Sequence, residues 1–401
     1  MKLMFLLTQD LESPSGLGRY LPLAKELVRL GHGVDIAALH PSMASLDKFH
    51  LKEDGVNVWY VAPMHVWKQG STKGYYPWNR LLAVSAKATK ELSARALSTE
   101  ADIIHVCKPH PMNSLAAVAA KQLRRTRLFL DCDDYEAASG HFASAWQRKV
   151  VSLFERWMPR RAEMVTTNTF FMRNKLIGWG VPSRKVVYLP NGVDQRRFAD
   201  PEYERVQALR DELGLSGAKI VIYVGSLSRP SHRVDLLLES FPLVRRVEPK
   251  CTLLLVGGGD DYEALKKQAV ETGMGEAIRF CGHVPPADVP LYYHMADVSV
   301  EPVHDDDAAR GRSPLKMFES WSCGVPFVTA DVGDRRQLLG TPEAGMLVAP
   351  GSREALAEGI LRVLTDSEFA QAIRYRGLER VQAFTWDRLA RQLEAAYQGL
   401  N

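Results

Sequence analysis

Paired cysteine is missing from this chain. Its five cysteines, Cys107, Cys132, Cys251, Cys281 and Cys323, are scattered, odd in number and without a C-x-x-C pair. That argues against a disulfide framework or a clustered zinc site, and for buried free thiols in a reducing compartment. Long apolar runs are missing too. The opening Met1–Leu7 turns polar at Thr8-Gln9-Asp10, too short for a secretion signal, and no stretch approaches a membrane span. A cytoplasmic location is the expectation. Charge of one sign is absent: 51 basic against 47 acidic residues leave +4, too little to argue for a nucleic-acid partner. There is no short-period repeat and no low-complexity tract, which excludes solenoid and disordered classes.

What is present suffices for two cores. At 401 residues, 46% hydrophobic and 24% charged, the chain is globular in composition and too long for one ordinary domain. Apolar, β-rich runs end near Leu7, Leu39, Val61, Cys107, Cys132, Asn168 and Pro190. Helical periodicity over Tyr20–Leu30, Trp78–Leu97 and Ser114–Leu123 lies between them. Strand and helix alternating this way predict a parallel sheet with helices on both faces. The pattern restarts after the polar stretch 194–204. Strands are expected at Lys219–Val224, Thr252–Val256, Ile278–Cys281, Val298–Val300, Phe327–Ala330 and Met346–Val348, with helices over Leu236–Val247, Asp261–Glu271 and Pro314–Ser322. The expected domains are therefore 1–198 and 199–384, with a last amphipathic helix over 385–401.

The most informative segment is Ser313-Pro-Leu-Lys-Met-Phe-Glu319, followed by Cys323-Gly-Val-Pro326. Ser313 suits an N-cap, Pro314 the first helical position, and Gly324 with Pro326 the helix end. Lys316 then falls in the first turn, where the helix dipole disfavours a cation. An anion lying between that lysine and the free backbone N–H groups removes the conflict, and a diphosphate is such an anion. Glu319 shares a face with Lys316 and can accept hydrogen bonds from a ribose diol. The plain alternative is an amphipathic helix with an exposed Lys/Glu pair.

Taken with the rest of the chain, these residues resemble glycosyltransferase family 4, the retaining enzymes of GT-B architecture. Gly16-Leu-Gly18, Leu30–Asp35, Asp102-Ile-Ile-His105 with His110, Leu189–Asp194 with Phe198, Tyr223–Leu227, Leu254–Gly259, Phe280–Val284 and Ala296–Pro302 follow in the family's order. The resemblance implies an α/β fold of two Rossmann-like, doubly wound domains facing across a cleft. The second domain would hold the nucleotide, the first would offer the acceptor, and the last helix would cross back to the first.

It also implies site residues. Gly16 and Gly18 would let the first loop approach the donor diphosphate; a plain turn before a helix is the other reading. His110, beyond a strand end, would contact the transferred sugar or the attacking hydroxyl, and its neighbours Lys108 and Pro109 read as a polar loop. After Gly225, Ser226 stands where the family carries an arginine, so Arg229 or Arg233 is the expected diphosphate clamp. His283 and Val284 would meet the nucleobase, and Gly333 with Asp334 would line the donor pocket. Ser313, Pro314, Leu315, Lys316 and Glu319 complete the donor set, with His110, Lys316 and Glu319 as the catalytic residues. The family's first glutamate falls on Gly311, and Asp305-Asp-Asp307 could reach the sugar hydroxyls in its place. The carboxylates of Asp131–Tyr135 could orient the acceptor or cap a helix. The basic, aromatic stretch 141–163 suits anionic lipid at the inner membrane face, or packing on its own sheet.

The reading is a glycosyltransferase moving a sugar from a UDP, GDP or ADP sugar to a hydroxyl acceptor, with no obligate cofactor or metal. A nucleotide-sugar epimerase of the same fold and a non-catalytic sugar-nucleotide-binding protein remain open beside it.

Overall fold

The computed structural model describes residues 1–69, 72–139, 142, 144–198 and 203–399. Two compact units divide the chain. The first takes Met1–Gly192, Gly311–Ser313 and Trp386–Asn401; the second takes Val193–Arg310 and Pro314–Thr385.

The first unit carries β1 (Lys2–Leu7), β2 (Gly33–His40), β3 (His50–Glu53), β4 (Val56–Pro63), β5 (Val66–Gln69), β6 (Thr72–Tyr75), β7 (Ile103–Cys107), β8 (Arg127–Cys132), β9 (Met164–Thr167) and β10 (Val186–Tyr188). Eight of these form one sheet in the order β10-β9-β8-β7-β1-β2-β4-β3. It is parallel except at β3, which runs antiparallel to β4. Every residue of β7 is buried, as is β1 after Lys2. Strands covered on both faces need continuous apolar runs, which is why they were legible. The strands β5 and β6 form a separate antiparallel hairpin. The helices are α1 (Leu21–Arg29), α2 (Trp78–Ser98), α3 (Pro111–Arg124), α4 (Glu136–Ser139), α5 (Ala145–Trp157) and α6 (Phe170–Gly178).

The second unit repeats the plan. Its strands are β11 (Ile220–Val224), β12 (Thr252–Val256), β13 (Ile278–Gly282), β14 (Val298–Glu301), β15 (Phe327–Ala330) and β16 (Met346–Val348), all parallel, in the order β13-β12-β11-β14-β15-β16. Its helices are α7 (Tyr203–Glu212), α8 (Arg229–His232), α9 (Val234–Val247), α10 (Tyr262–Glu271), α11 (Val289–His294), α12 (Asp307–Arg310), α13 (Leu315–Ser322), α14 (Arg335–Leu339), α15 (Arg353–Thr365) and α16 (Ser367–Arg380).

The last helix, α17 (Trp386–Gln398), groups with the first unit. Arg127 Nη1 donates to the Tyr397 carbonyl at 2.7 Å, Gln392 donates to the Tyr188 carbonyl at 2.8 Å, and His32 Nε2 lies 2.9 Å from Glu394. The units part at Gly192/Val193, ahead of the expected 198/199, because 193–198 is drawn into the second core. Phe198 is buried there against Tyr293, with ring centroids 6.2 Å apart, and Val193 bridges to Thr385.

Candidate active site

In the first unit the loop after β1 and the loop after β7 meet. Thr8 Oγ1 lies 2.6 Å from His110 Nδ1, and His110 Nε2 lies 3.1 Å from Glu136 Oε2. His110 is the N-cap residue of α3, in extended backbone, and its imidazole keeps partial access to solvent. A carboxylate can only accept, so the Glu136 contact places a proton on Nε2. In the neutral ring Nδ1 then accepts from the Thr8 hydroxyl. Both nitrogens are occupied, which fixes the ring's orientation.

The neighbouring Lys108 corrects the polar-loop expectation: it is buried, at φ 71°. Its Nζ lies 3.1 Å from Asp133, 2.7 Å from Asp134 and 2.6 Å from Glu136. Those three carboxylates have the spacing of a cation site, their ligand atoms lying within 4.8 Å of one another. The lysine supplies the positive charge that a metal would. Burial raises the Glu136 carboxyl, but Lys108 and His110 outweigh it and hold the group well below the usual range. Burial pushes Asp133 up to about 7 despite Lys108. Glu155 is pushed up to about 8 by burial and by Glu136 while accepting the backbone N–H groups of Glu136 (2.6 Å) and Ala137 (3.2 Å).

Asp131 is not placed to orient an acceptor. It takes Arg19 bidentately, at 2.7 and 2.8 Å, and the Thr166 hydroxyl at 2.6 Å. Arg19 also donates to the Leu189 and Pro190 carbonyls and to Asn191 Oδ1 at 3.1, 3.2 and 2.9 Å. The residue after Gly16-Leu-Gly18 thus pins the end of the first unit. Sequence reasoning passed it over, because a lone arginine reads as surface. Gly16 and Gly18 lie in a helical turn over Gly16–Tyr20. A Cβ on Gly16 would stand 2.2 Å from the Asp10 carbonyl oxygen, so its smallness serves the chain's own packing. His105 is core: it stacks on Phe5 and meets the Tyr397 hydroxyl at 2.7 Å.

In the second unit the loops after β11 and β12 pack backbone on backbone. Gly225 N donates to the Val256 carbonyl and Leu227 N to the Gly258 carbonyl, at 2.9 and 2.8 Å. A Cβ on Gly257 would stand 2.0 Å from the Gly225 carbonyl oxygen, and Gly257 has φ 135°. Gly225, at φ 144°, faces Lys316: a Cβ there would lie 3.6 Å from Nζ. The Lys316 ammonium is buried and sits 4.8 Å from the Tyr223 ring centroid. Glu319, one turn along α13, accepts the Tyr293 hydroxyl at 3.0 Å. Burial raises its carboxyl, opposed by Arg197, Tyr293 and Lys316.

The start of α13 differs from expectation. Its N-cap residue is Pro314, not Ser313, and no side chain caps it. Ser313 Oγ is buried without a hydrogen-bond partner, and the Ser313 carbonyl accepts Asn191 Nδ2 at 2.9 Å. The helix closes as read, with Val325 N donating to the Ser320 carbonyl at 2.9 Å. The two expected clamp arginines are engaged elsewhere. Arg229 Nη2 donates to the Ala264 carbonyl (3.1 Å) and Gln268 Oε1 (3.3 Å), while Arg233 pairs with Asp235 at 2.8 Å. Asp305 takes Arg310 at 2.6 and 2.8 Å, and Asp306 accepts the Ala309 N–H at 2.8 Å, so this acidic run caps α12. His283 is exposed, and with Val284 it lines a recess of about 460 Å³ beside α7 and α11. Gly333 packs on the Arg310 backbone, and Asp334 is the N-cap residue of α14. Arg335, unread in the sequence, forks onto Glu301 at 2.8 and 2.9 Å and donates to the Ala309 carbonyl at 3.1 Å. It holds the segment leading to α13. Burial raises the Glu301 carboxyl, but Arg335 brings it down to about 2.

On the stretch 141–163, His141 lies outside the described residues. Trp146 and Leu153 are exposed on α5, whereas Arg161 lies over the Trp157 ring at 4.3 Å.

The family model described as "Glycosyl transferase 4-like domain" matches residues 15–192, and the one described as "Glycosyl transferases group 1" matches 218–366. The chain is similar to a GDP-mannose-dependent alpha-(1-6)-phosphatidylinositol monomannoside mannosyltransferase of Mycolicibacterium smegmatis, at 28% identity over 54% of this chain and 56% of that one. It therefore spans little more than half the length of this curated relative. Among solved structures, a sucrose-phosphate synthase of Thermosynechococcus elongatus aligns with TM-score 0.79 and 21% identity, covering 100% of this chain and 99% of that one. Anabaena HepE, solved with UDP-glucose, aligns with TM-score 0.74 and 20% identity over 100% of both chains. These likenesses place the fold as GT-B.

Proposed function

We propose that this chain, which belongs to the group 1 glycosyltransferases of GT-B architecture, transfers a sugar from a nucleotide-diphosphate donor to a hydroxyl acceptor with retention at the anomeric carbon. One observation carries the donor site: the Lys316 ammonium, the Gly225 loop backbone and the uncapped start of α13 come together in the second unit. An ammonium in a first helical turn is stable there when a dianion joins it to the free N–H groups. Glu319 holds the ribose, sharing it with Tyr293, and His283 and Val284 meet the base. Lys316 and the backbone amides of the Gly225 loop and the start of α13 carry the diphosphate charge.

In the first unit His110 positions the sugar or the attacking hydroxyl rather than removing a proton, because both ring nitrogens are engaged. The acceptor oxygen bonds to the anomeric carbon as the bond from that carbon to the β-phosphate oxygen breaks. The departing phosphate oxygen takes the acceptor's proton on the same face of the sugar. No protein nucleophile or metal is required by this balance.

The relative's dependence on GDP-mannose makes a guanine nucleotide the first donor to try. A thermal-shift screen of UDP, GDP and ADP sugars tests the reading, since a ligand at a hundred times its Kd adds about 2.7 kcal/mol to the native state. Stabilisation by one sugar nucleotide, with an α-linked product by NMR from an α-linked donor, is the expected result. Epimerised donor without transfer would point to the epimerase. Binding without turnover of any donor would point to a non-catalytic role. Exposed Trp146 and Leu153 beside Arg148 and Lys149 suit contact of α5 with anionic lipid; co-sedimentation with anionic but not neutral vesicles tests that contact.

A further inference from the structure

The first unit contains a cavity of about 410 Å³ whose lining is of two kinds. One is a polar cluster in mutual contact: Thr8, His110, Glu136 and Lys108. Most of the remaining lining is apolar, including Leu81 and Leu82 of α2, Val150 and Val151 of α5, and Met64, with Ser85 and Gln147 as polar exceptions on the same two helices. Tyr75, Leu82 and Trp146 line the same space and are 43%, 51% and 42% exposed. Large apolar side chains left in solvent around a cavity mark a surface that is covered when the protein works. The aliphatic part of these walls favours an alkyl chain over a hydrophilic glycan.

We propose that this cavity takes the apolar part of an amphiphilic acceptor, whose hydroxyl-bearing head lies at His110. The inference rests on the glycosyl-transfer reading and adds the acceptor's class: a polyol or sugar head joined to an aliphatic chain. That one cavity is lined both by these apolar side chains and by the His110–Glu136 pair is what ties the chain to the reacting hydroxyl. A free amphiphile and a membrane lipid share this chemistry.

The test uses the full chain and a homologous series of n-alkyl α-mannosides, methyl to decyl, each kept monomeric. Binding is followed by titration calorimetry and by Trp146 emission. Affinity is expected to rise about fourfold per methylene until the cavity is filled. Leu82→Glu and Ser85→Phe are expected to flatten that rise, with unfolding temperature checked for each variant. A flat series in the native protein overturns the inference if nucleotide binding and donor hydrolysis are intact. Loss of both of those in the native protein would instead sink the glycosyl-transfer reading beneath it. In a second arm, decyl mannoside is offered as monomer or embedded in phosphatidylcholine vesicles. Equal use of the monomer supports a diffusing amphiphile, and use only in vesicles supports a membrane lipid. Use of neither, with methyl mannoside accepted, overturns the inference.

Discussion

Arg19 and Asp131, far apart in sequence, form a bidentate ion pair that solvent does not reach. Burial alone would raise the Asp131 carboxyl; Arg19 outweighs it and lowers it. Removing one partner strands the other. Arg19→Met and Asp131→Asn are each expected to destabilise the first unit by about 3–5 kcal/mol. The double variant should cost less than the sum, because neither charge is then left alone. Urea unfolding of the single and double variants checks this, and additive losses would contradict it.

The imidazole of His105 gives the protein an acid-sensitive core. Burial lowers its pKa from 6.5 to about 4, against the pull of Asp131. The unfolded chain takes up a proton near pH 6.5, while the folded chain refuses it until about pH 4. The stability this provides is therefore complete above pH 6.5 and is lost as pH falls toward 4. The loss is on the order of a few kcal/mol. In His105→Gln, which keeps an acceptor for Tyr397, stability should fall less steeply across that window. Equal slopes in denaturant titrations at pH 7, 5.5 and 4.5 would refute the assignment.

Backbone contact between the loops after β11 and β12 leaves no room at Gly257. Gly257→Ala should displace the Gly225 loop and cut turnover on the order of a hundredfold, as expected when a site is misplaced by about an ångström. Gly258→Ala, where nothing lies within 4 Å of a new Cβ, should be mild. Comparable kinetics for the two variants would mean that the loop does not shape the donor site.

Thr8→Val removes the hydroxyl that meets His110 Nδ1 and leaves the ring held through Nε2 and Glu136 alone. Turnover should fall while nucleotide affinity holds, because Thr8 lies in the other unit from Lys316. Parallel loss of nucleotide binding would place Thr8 in the donor site instead.

Much of the fold could be read from residue pattern. Fully covered parallel strands such as Ile103–Cys107 are continuous apolar runs, and they carry their own signal. Ser352 and Asp366 cap α15 and α16 through their side chains, a helix-start signal present in the residues although helices over 353–380 were not among the expected elements. The β5–β6 hairpin was not legible, since its short strands show no sustained alternation. The site was legible as a list of positions but not as partnerships. Lys108 reads as a loop cation until the fold brings three carboxylates to it. Arg229 and Arg233 look free until α10 and Asp235 claim them. Such pairings join residues distant in sequence, or turn on a backbone angle that periodicity does not encode.

Titration of the expected nucleoside diphosphate into the native protein, Lys316→Ala and Glu319→Ala tests the central claim most directly. The account predicts that both variants stay folded. Lys316→Ala should bind the diphosphate at least tenfold more weakly, since charge-assisted bonds contribute about 1.5–3 kcal/mol. Glu319→Ala should lose affinity for the nucleotide but little for inorganic pyrophosphate. Unchanged affinity in both variants would contradict it.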